Sequence, residues 1–129
     1  MAEKREGYRK LEVYEKSYRS AVEIYRMTAD FPKEERYGIT DQMRRASVSI
    51  ALNVAEGYAR RESQEELKRF LRMAVGSAAE MQVLIDFARE LGYIREERYK
   101  EAKEAYETIG KMLNAFIRKL KERDPKSSI

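Results

Sequence analysis

Apolar residues recur along the chain at steps of three and four in four separate stretches, the period of a helix with one buried face. The first stretch, from about Arg9 to Ala29, carries Leu11, Tyr14, Tyr18, Val22, Tyr25 and Thr28 as its expected inward stripe. It ends before Asp30-Phe31-Pro32, because a proline pushes the preceding residue away from helical geometry. Lys33 to Gly38 reads as a short connection with room for a helical turn. Thr40 is the expected N-cap of the second helix, with Asp41 favourable in its first turn. That helix is predicted to run to about Glu56 with Met43, Ala46, Ile50 and Val54 inward, and Gly57 is the expected stop. Ser63-Gln64-Glu65-Glu66 has the form of a capping box. It opens a third helix to about Leu91, with Leu67, Phe70, Leu71, Ala74, Ala78, Met81, Leu84 or Ile85, and Ala88 inward and Gly92 as terminator. The fourth runs from about Glu96 to Lys121 with Tyr99, Ala102, Tyr106, Ile109, Leu113, Phe116 and Leu120 inward. Four helices of three or more turns joined by short loops predict an all-α fold, an antiparallel up-down-up-down four-helix bundle. A single domain covers residues 1–129, its ordered core about 9–122 between flexible ends.

Composition narrows the chemistry. At 129 residues the chain is long enough for one core and too short for two. It contains neither cysteine nor histidine, so disulfides, thiolate nucleophiles and the commonest catalytic base and metal ligand are all missing. A ferritin-like di-metal bundle needs Glu-x-x-His pairs, which cannot be built here. No catalytic residues, metal ligands or cofactor are expected, and the chain reads as a non-enzyme. The N-terminus lacks the apolar stretch of a signal peptide, and no run approaches a membrane span, which makes the cytoplasm the expected location.

Two departures from an ordinary bundle carry the functional reading. From Ala46 to Ala55 the second helix has no charge over almost three turns, and Met73 to Ala79 repeats this in the third. A bundle helix needs one buried face and should be charged on the other. The apolar residues off the core stripe (Val48, Ala51, Leu52, Ala55, Val75 and Ala79) are therefore expected to be covered by another copy of the chain. Gly76, unfavourable in mid-helix, suits a close backbone approach, with a local kink as the competing explanation.

The second departure is the placement of charge. In an up-down bundle the start of the first helix, the second loop and the end of the fourth helix share one end. That end collects Lys4, Arg5, Arg9, Lys10, Arg60, Arg61, Lys68, Arg69, Arg72, Arg118, Lys119, Lys121 and Arg123 against fewer acids. The net charge of +4 is thus concentrated. Arg60, Arg61, Lys68, Arg69, Arg72, Arg118, Lys119 and Lys121 are the expected contacts to a phosphate backbone, with Tyr8 and Tyr58 available for base stacking. Solvation and helix-dipole compensation are the competing explanation for the same residues.

The run Tyr37-Gly38-Ile39-Thr40-Asp41-Gln42-Met43-Arg44-Arg45-Ala46, followed by Ser49-Ile50-Ala51-Leu52-Asn53-Val54-Ala55-Glu56-Gly57, then Phe70-Leu71, Ala74-Val75-Gly76-Ser77 and Leu91-Gly92-Tyr93-Ile94, resembles the bacterial family of 23S rRNA intervening-sequence proteins. That family also includes the accessory variability determinants of diversity-generating retroelements. The resemblance covers roughly residues 9–120. It implies an up-down bundle assembled as a ring- or barrel-like homopentamer. For retroelement members it implies a basic surface for RNA or DNA and association with a reverse transcriptase. It brings no catalytic residues. Val54 stands where the family more often has Ile. Glu56, opposed by the dipole at its helix end, is expected to pair with an arginine or accept backbone hydrogen bonds. Arg44 and Arg45 fit either a phosphate or a neighbouring copy's carboxylate. The leading reading is a homo-oligomeric nucleic-acid-binding accessory protein. The alternative is a scaffold that docks a protein partner.

Overall fold

The computed structural model describes residues 6–122. A short 3-10 turn at Gly7–Lys10 leads into α1 (Glu12–Thr28); a second at Lys33–Glu35 precedes α2 (Ile39–Ala59), and α3 (Gln64–Glu90) and α4 (Glu96–Glu122) follow. Each helix packs on its chain neighbours and α4 returns to α1, which closes an all-α, up-down four-helix bundle. The α1–α4 seam is the thinnest of the four.

The core stripes of α2 and α3 fall where the period puts them. Met43, Ile50, Val54, Leu71, Ala74, Met81 and Ile85 are fully enclosed, and Tyr106, Ile109 and Leu113 of α4 meet them. Phe70 departs from the expected stripe and is only half-buried. The predicted face of α1 is displaced. Its buried residues are Val13, Ser17, Ala21, Ile24, Met27 and Thr28, whereas Tyr18 and Tyr25 remain 54% and 45% exposed. Both stripes have helical period. The true one is interrupted by two hydroxyl residues, which tolerate burial by donating to their own helix. Ser17 Oγ reaches the Val13 carbonyl and Thr28 Oγ1 the Ile24 carbonyl, each at 2.7 Å.

Helix boundaries explain two further differences. Thr40 is not the cap of α2: the helix already begins at Ile39, Thr40 is buried inside it, and Glu35 Oε1 accepts the Ile39 N–H at 3.4 Å. Nor does Gly57 stop α2, which continues to Ala59. A Cβ at residue 57 would lie 3.0 Å from Phe70 Cβ and 3.3 Å from the Leu67 carbonyl oxygen. Glycine is needed there so that α2 and α3 can approach. Ser63 does cap α3, its Oγ accepting the Glu66 N–H at 3.2 Å. Gly92, at φ +78°, closes that helix. The Tyr93 N–H returns to the Ala88 carbonyl and the Gly92 N–H to Arg89, the paired bonds of a Schellman end.

The end holding the α1–α2 and α3–α4 connections is tied by side chains. The Phe31 and Tyr93 rings lie 5.2 Å apart, and the Tyr93 hydroxyl donates to Glu35 at 2.7 Å, which raises the phenol pKa. Arg44 donates to Thr28 Oγ1 at 2.8 Å and to the Tyr25 carbonyl at 3.3 Å while lying 4.7 Å over the Tyr25 ring. Within the chain it therefore caps the last turn of α1, with Nε and one Nη already engaged by α1. Asp86 of α3 takes both carboxylate bonds from Lys103 of α4 at 2.8 Å and a third from Tyr99. In the interior, the Tyr106 hydroxyl has no hydrogen-bond partner among the described residues, and burial pushes its pKa up.

Candidate nucleic-acid interface

The close α2–α3 crossing at Gly57 places Phe70 directly under the turn between these helices. Arg60, at the end of α2, lies with its guanidinium carbon 5.3 Å from the Phe70 ring centre, and Arg69 approaches the same ring at 4.5 Å. Arg61 lies 4.1 Å over Tyr58 and donates to that residue's carbonyl at 3.0 Å. Three guanidinium groups are thus held on two aromatic rings at one turn.

Carboxylates fix two of them. Glu56 accepts from Arg60 at 3.2 Å, which supplies the partner its position at a helix end requires. Glu66 takes two bonds from Arg69, at 3.0 and 3.1 Å. That fork lowers the Glu66 pKa and raises that of Arg69. Arg61, Arg72, Arg118 and Lys119 are exposed and have no acidic partner among the described residues. Arg9 is exposed too, 5.9 Å from the Tyr8 ring. The side chain of Lys121 lies outside the described residues, as do Lys4, Arg5 and Arg123.

Lys68 does not belong to this surface. It is only 5% exposed, its ammonium paired with Glu65 at 3.1 Å. Lys68 shares a side of α3 with Val75 and, further along, with Asp86, the flank on which α4 packs. Position at the basic end alone did not reveal this. Phe70 serves as a platform that the period assigns to the core; the only sequence signal for this role is an aromatic directly after Arg69.

The expected interface residues separate into two groups. Val48, Ala51, Leu52 and Ala55 line a groove between α1 and α2 together with Tyr14, Tyr18 and Tyr25. Val75 and Ala79 lie instead beside Gly110 in a shallower groove between α3 and α4. Leu52 is 61% exposed, whereas Ala51 is nearly enclosed by α1. The polar family residues lie between these groups: Asn53 donates to Ser49, whose hydroxyl meets that of Ser77 at 3.0 Å across the α2–α3 seam. Among the described residues no cluster of three or more carboxylates is placed to hold a metal, and no helix is long and apolar enough to cross a membrane.

Known proteins agree with this architecture. No curated protein matches the chain. A solved structure of a protein of unknown function, from the S23 ribosomal protein family of Bacteroides thetaiotaomicron VPI-5482, superposes with a TM-score of 0.74 at 23% identity, covering 82% of this chain and 95% of the other. At that identity the likeness speaks for the fold. The model of the 23S rRNA-intervening sequence protein family matches residues 9–115, which include the α2 motif, the glycine crossing and the α2–α3 turn. The chain belongs to the 23S rRNA-intervening sequence protein family.

Proposed function

We propose that the chain is a non-enzymatic, homo-oligomeric accessory protein that binds nucleic acid through the end formed by the α2–α3 turn and the last turns of α4. The observation that carries the reading is the set of arginines seated on Phe70 and Tyr58 beside cations that have no acid partner among the described residues. Planar guanidinium groups suit phosphate oxygens in pairs, and their faces stack on bases. Aligned copies would add their fields. Within the family this reading corresponds to a retroelement-accessory-like protein, with a reverse transcriptase as possible partner, or to an rRNA intervening-sequence type; a pentamer in the cytoplasm is the form expected for either.

Fluorescence anisotropy with short labelled RNA and single-stranded DNA tests it. Binding should weaken steeply with salt as counterions are released. Reversing Arg61, Arg72 and Arg118 to Glu should lower affinity at least tenfold and flatten the salt dependence, with the far-UV circular dichroism unchanged. Absence of binding to both polymers at low salt overturns the reading. One observation favours a protein-docking scaffold instead: Arg60 and Arg69 already hold carboxylates, as they would at an acidic protein surface.

A further inference from the structure

The exposed large hydrophobic side chains are unevenly distributed. Those on helices belong to α1, α2 and α3, and α4 has none among the described residues. On α3 they form a line. Met73, Val83 and Phe87 are all about half exposed, and with Gly76 and Glu80 they follow steps of three and four directly opposite the core stripe. This ridge is distinct from the flank carrying Val75 and Ala79, and nothing among the described residues covers it. The groove between α1 and α2, of about 430 Å³, is walled by Tyr14, Tyr18, Tyr25 and Leu52 and is likewise uncovered.

We propose that the α1–α2 groove of one copy receives the α3 ridge of a second copy, in a head-to-tail contact that repeats around a ring. This deepens, and rests on, the reading of the chain as a homo-oligomer subunit. The two surfaces match in length. At about 1.5 Å per residue, Tyr14 to Tyr25 extends about 17 Å and Met73 to Phe87 about 21 Å. They match in relief as well. Gly76 lies near the middle of the ridge, and a Cβ there would meet nothing within 4 Å, so no contact among the described residues accounts for a glycine in mid-helix. Its missing side chain lets a tyrosine-walled groove approach the α3 backbone.

Charge fits the same pairing. The single charge on the ridge is Glu80, exposed and without an ion pair among the described residues. Two turns before Leu52, on the same outer face of α2, stands Arg45. Its side chain is 80% exposed, and its own acid, Asp41, is 3.9 Å away, the loose limit of an ion pair. Glu80 of one copy is the complement of Arg45 of the next. Groove and ridge lie on different sides of the bundle, so neither meets its own image across a two-fold axis. Such a contact is heterologous, and a compact assembly built from it is a closed ring.

Light scattering on paired variants, without nucleic acid, tests this. Tyr18→Glu spoils only the groove and Phe87→Glu only the ridge; both positions are exposed, so circular dichroism should stay that of the parent. Each variant alone should be a monomer. Their mixture should form a two-chain species, because the intact groove of the Phe87→Glu chain still accepts the intact ridge of the Tyr18→Glu chain. As an independent readout, the cysteine-free parent allows Leu52→Cys and Gly76→Cys to be combined in one chain, and a bis-maleimide should yield a ladder that neither single variant gives. An unchanged assembly mass for Phe87→Glu, a mixture that stays monomeric, or cross-linking of Leu52→Cys to itself overturns the pairing while leaving homo-oligomerisation intact. A monomeric parent overturns both. Nucleic-acid affinity enters none of these measurements.

Discussion

Helices α3 and α4 are both 27 residues long and pack side by side, yet their outer faces differ completely. Beyond its core contacts α4 shows solvent Lys100, Glu101, Glu104, Glu107 and Lys111, whereas the outer line of α3 is Met73, Gly76, Val83 and Phe87, broken by Glu80. Inward, the two are alike: Leu71 and Ile85 on one side, Ile109 and Leu113 on the other, are wholly enclosed. Folding of the chain therefore constrains the inner faces equally. The difference outside is one that packing within the bundle does not require.

The largest test concerns the shared inner faces. Leu71→Ala and Leu113→Ala should each lower unfolding free energy by about 2–5 kcal/mol in urea denaturation. A much smaller loss in either helix would break the symmetry of the comparison. Gly57→Ala comes next, at about 1–3 kcal/mol, because the new methyl meets Phe70 Cβ and the Leu67 carbonyl oxygen, which cannot swing aside, as well as the Leu67 Cδ1 methyl, which can. It should also loosen nucleic-acid binding by shifting the Phe70 platform. Tyr106→Phe should move stability upward, by about 1 kcal/mol, since it removes a buried hydroxyl that bonds to nothing among the described residues. A lowered midpoint would reveal a partner for that hydroxyl.

The smallest effect concerns the polar tie between α3 and α4. Lys103 first, and Tyr99 second, hold the Asp86 carboxyl below its usual range. Its folded pKa lies below the unfolded one. The contribution is therefore present above about pH 4, where the unfolded carboxylate is ionised, and is lost as pH falls through the folded value. Asp86→Asn should cost under about 1 kcal/mol at neutral pH, because the side chain is half exposed. The gap to the parent should close in acid, as followed by thermal melts across pH.

Much of this architecture was legible in the order of apolar residues. The core of α2 and α3 followed directly from the period, and in α3 the cap and terminator agreed with it. The core of α1 did not. Thr28 is buried as expected, but Ser17 breaks the true stripe, and a row of tyrosines with the same period lies beside it. Hydropathy ranks a tyrosine above a serine, but a serine bonded to its own backbone occupies less core volume and leaves no polar group unmet. At Gly57 the sequence leaves two roles open, because glycine serves both to stop helices and to let them touch, and its spatial neighbour Phe70 is distant in sequence. The end of the bundle does not determine the exposure of Lys68; its angle around α3 does. For Arg44 the acceptors lie on α1, a carbonyl and a hydroxyl far away in sequence.

The thin seam between α1 and α4 bears on how the subunit breathes. Arg44 and the Phe31–Tyr93 contact pin the C-terminal end of α1, leaving the remainder held chiefly along α2. Opening is expected to run along that seam, with α1 swinging out as an arm while α2, α3 and α4 remain a three-helix unit. Amide protons in the first two turns of α1 should therefore exchange through a local opening of lower free energy than global unfolding, whereas those around Ile50 and Met81 should exchange only when the whole subunit comes apart.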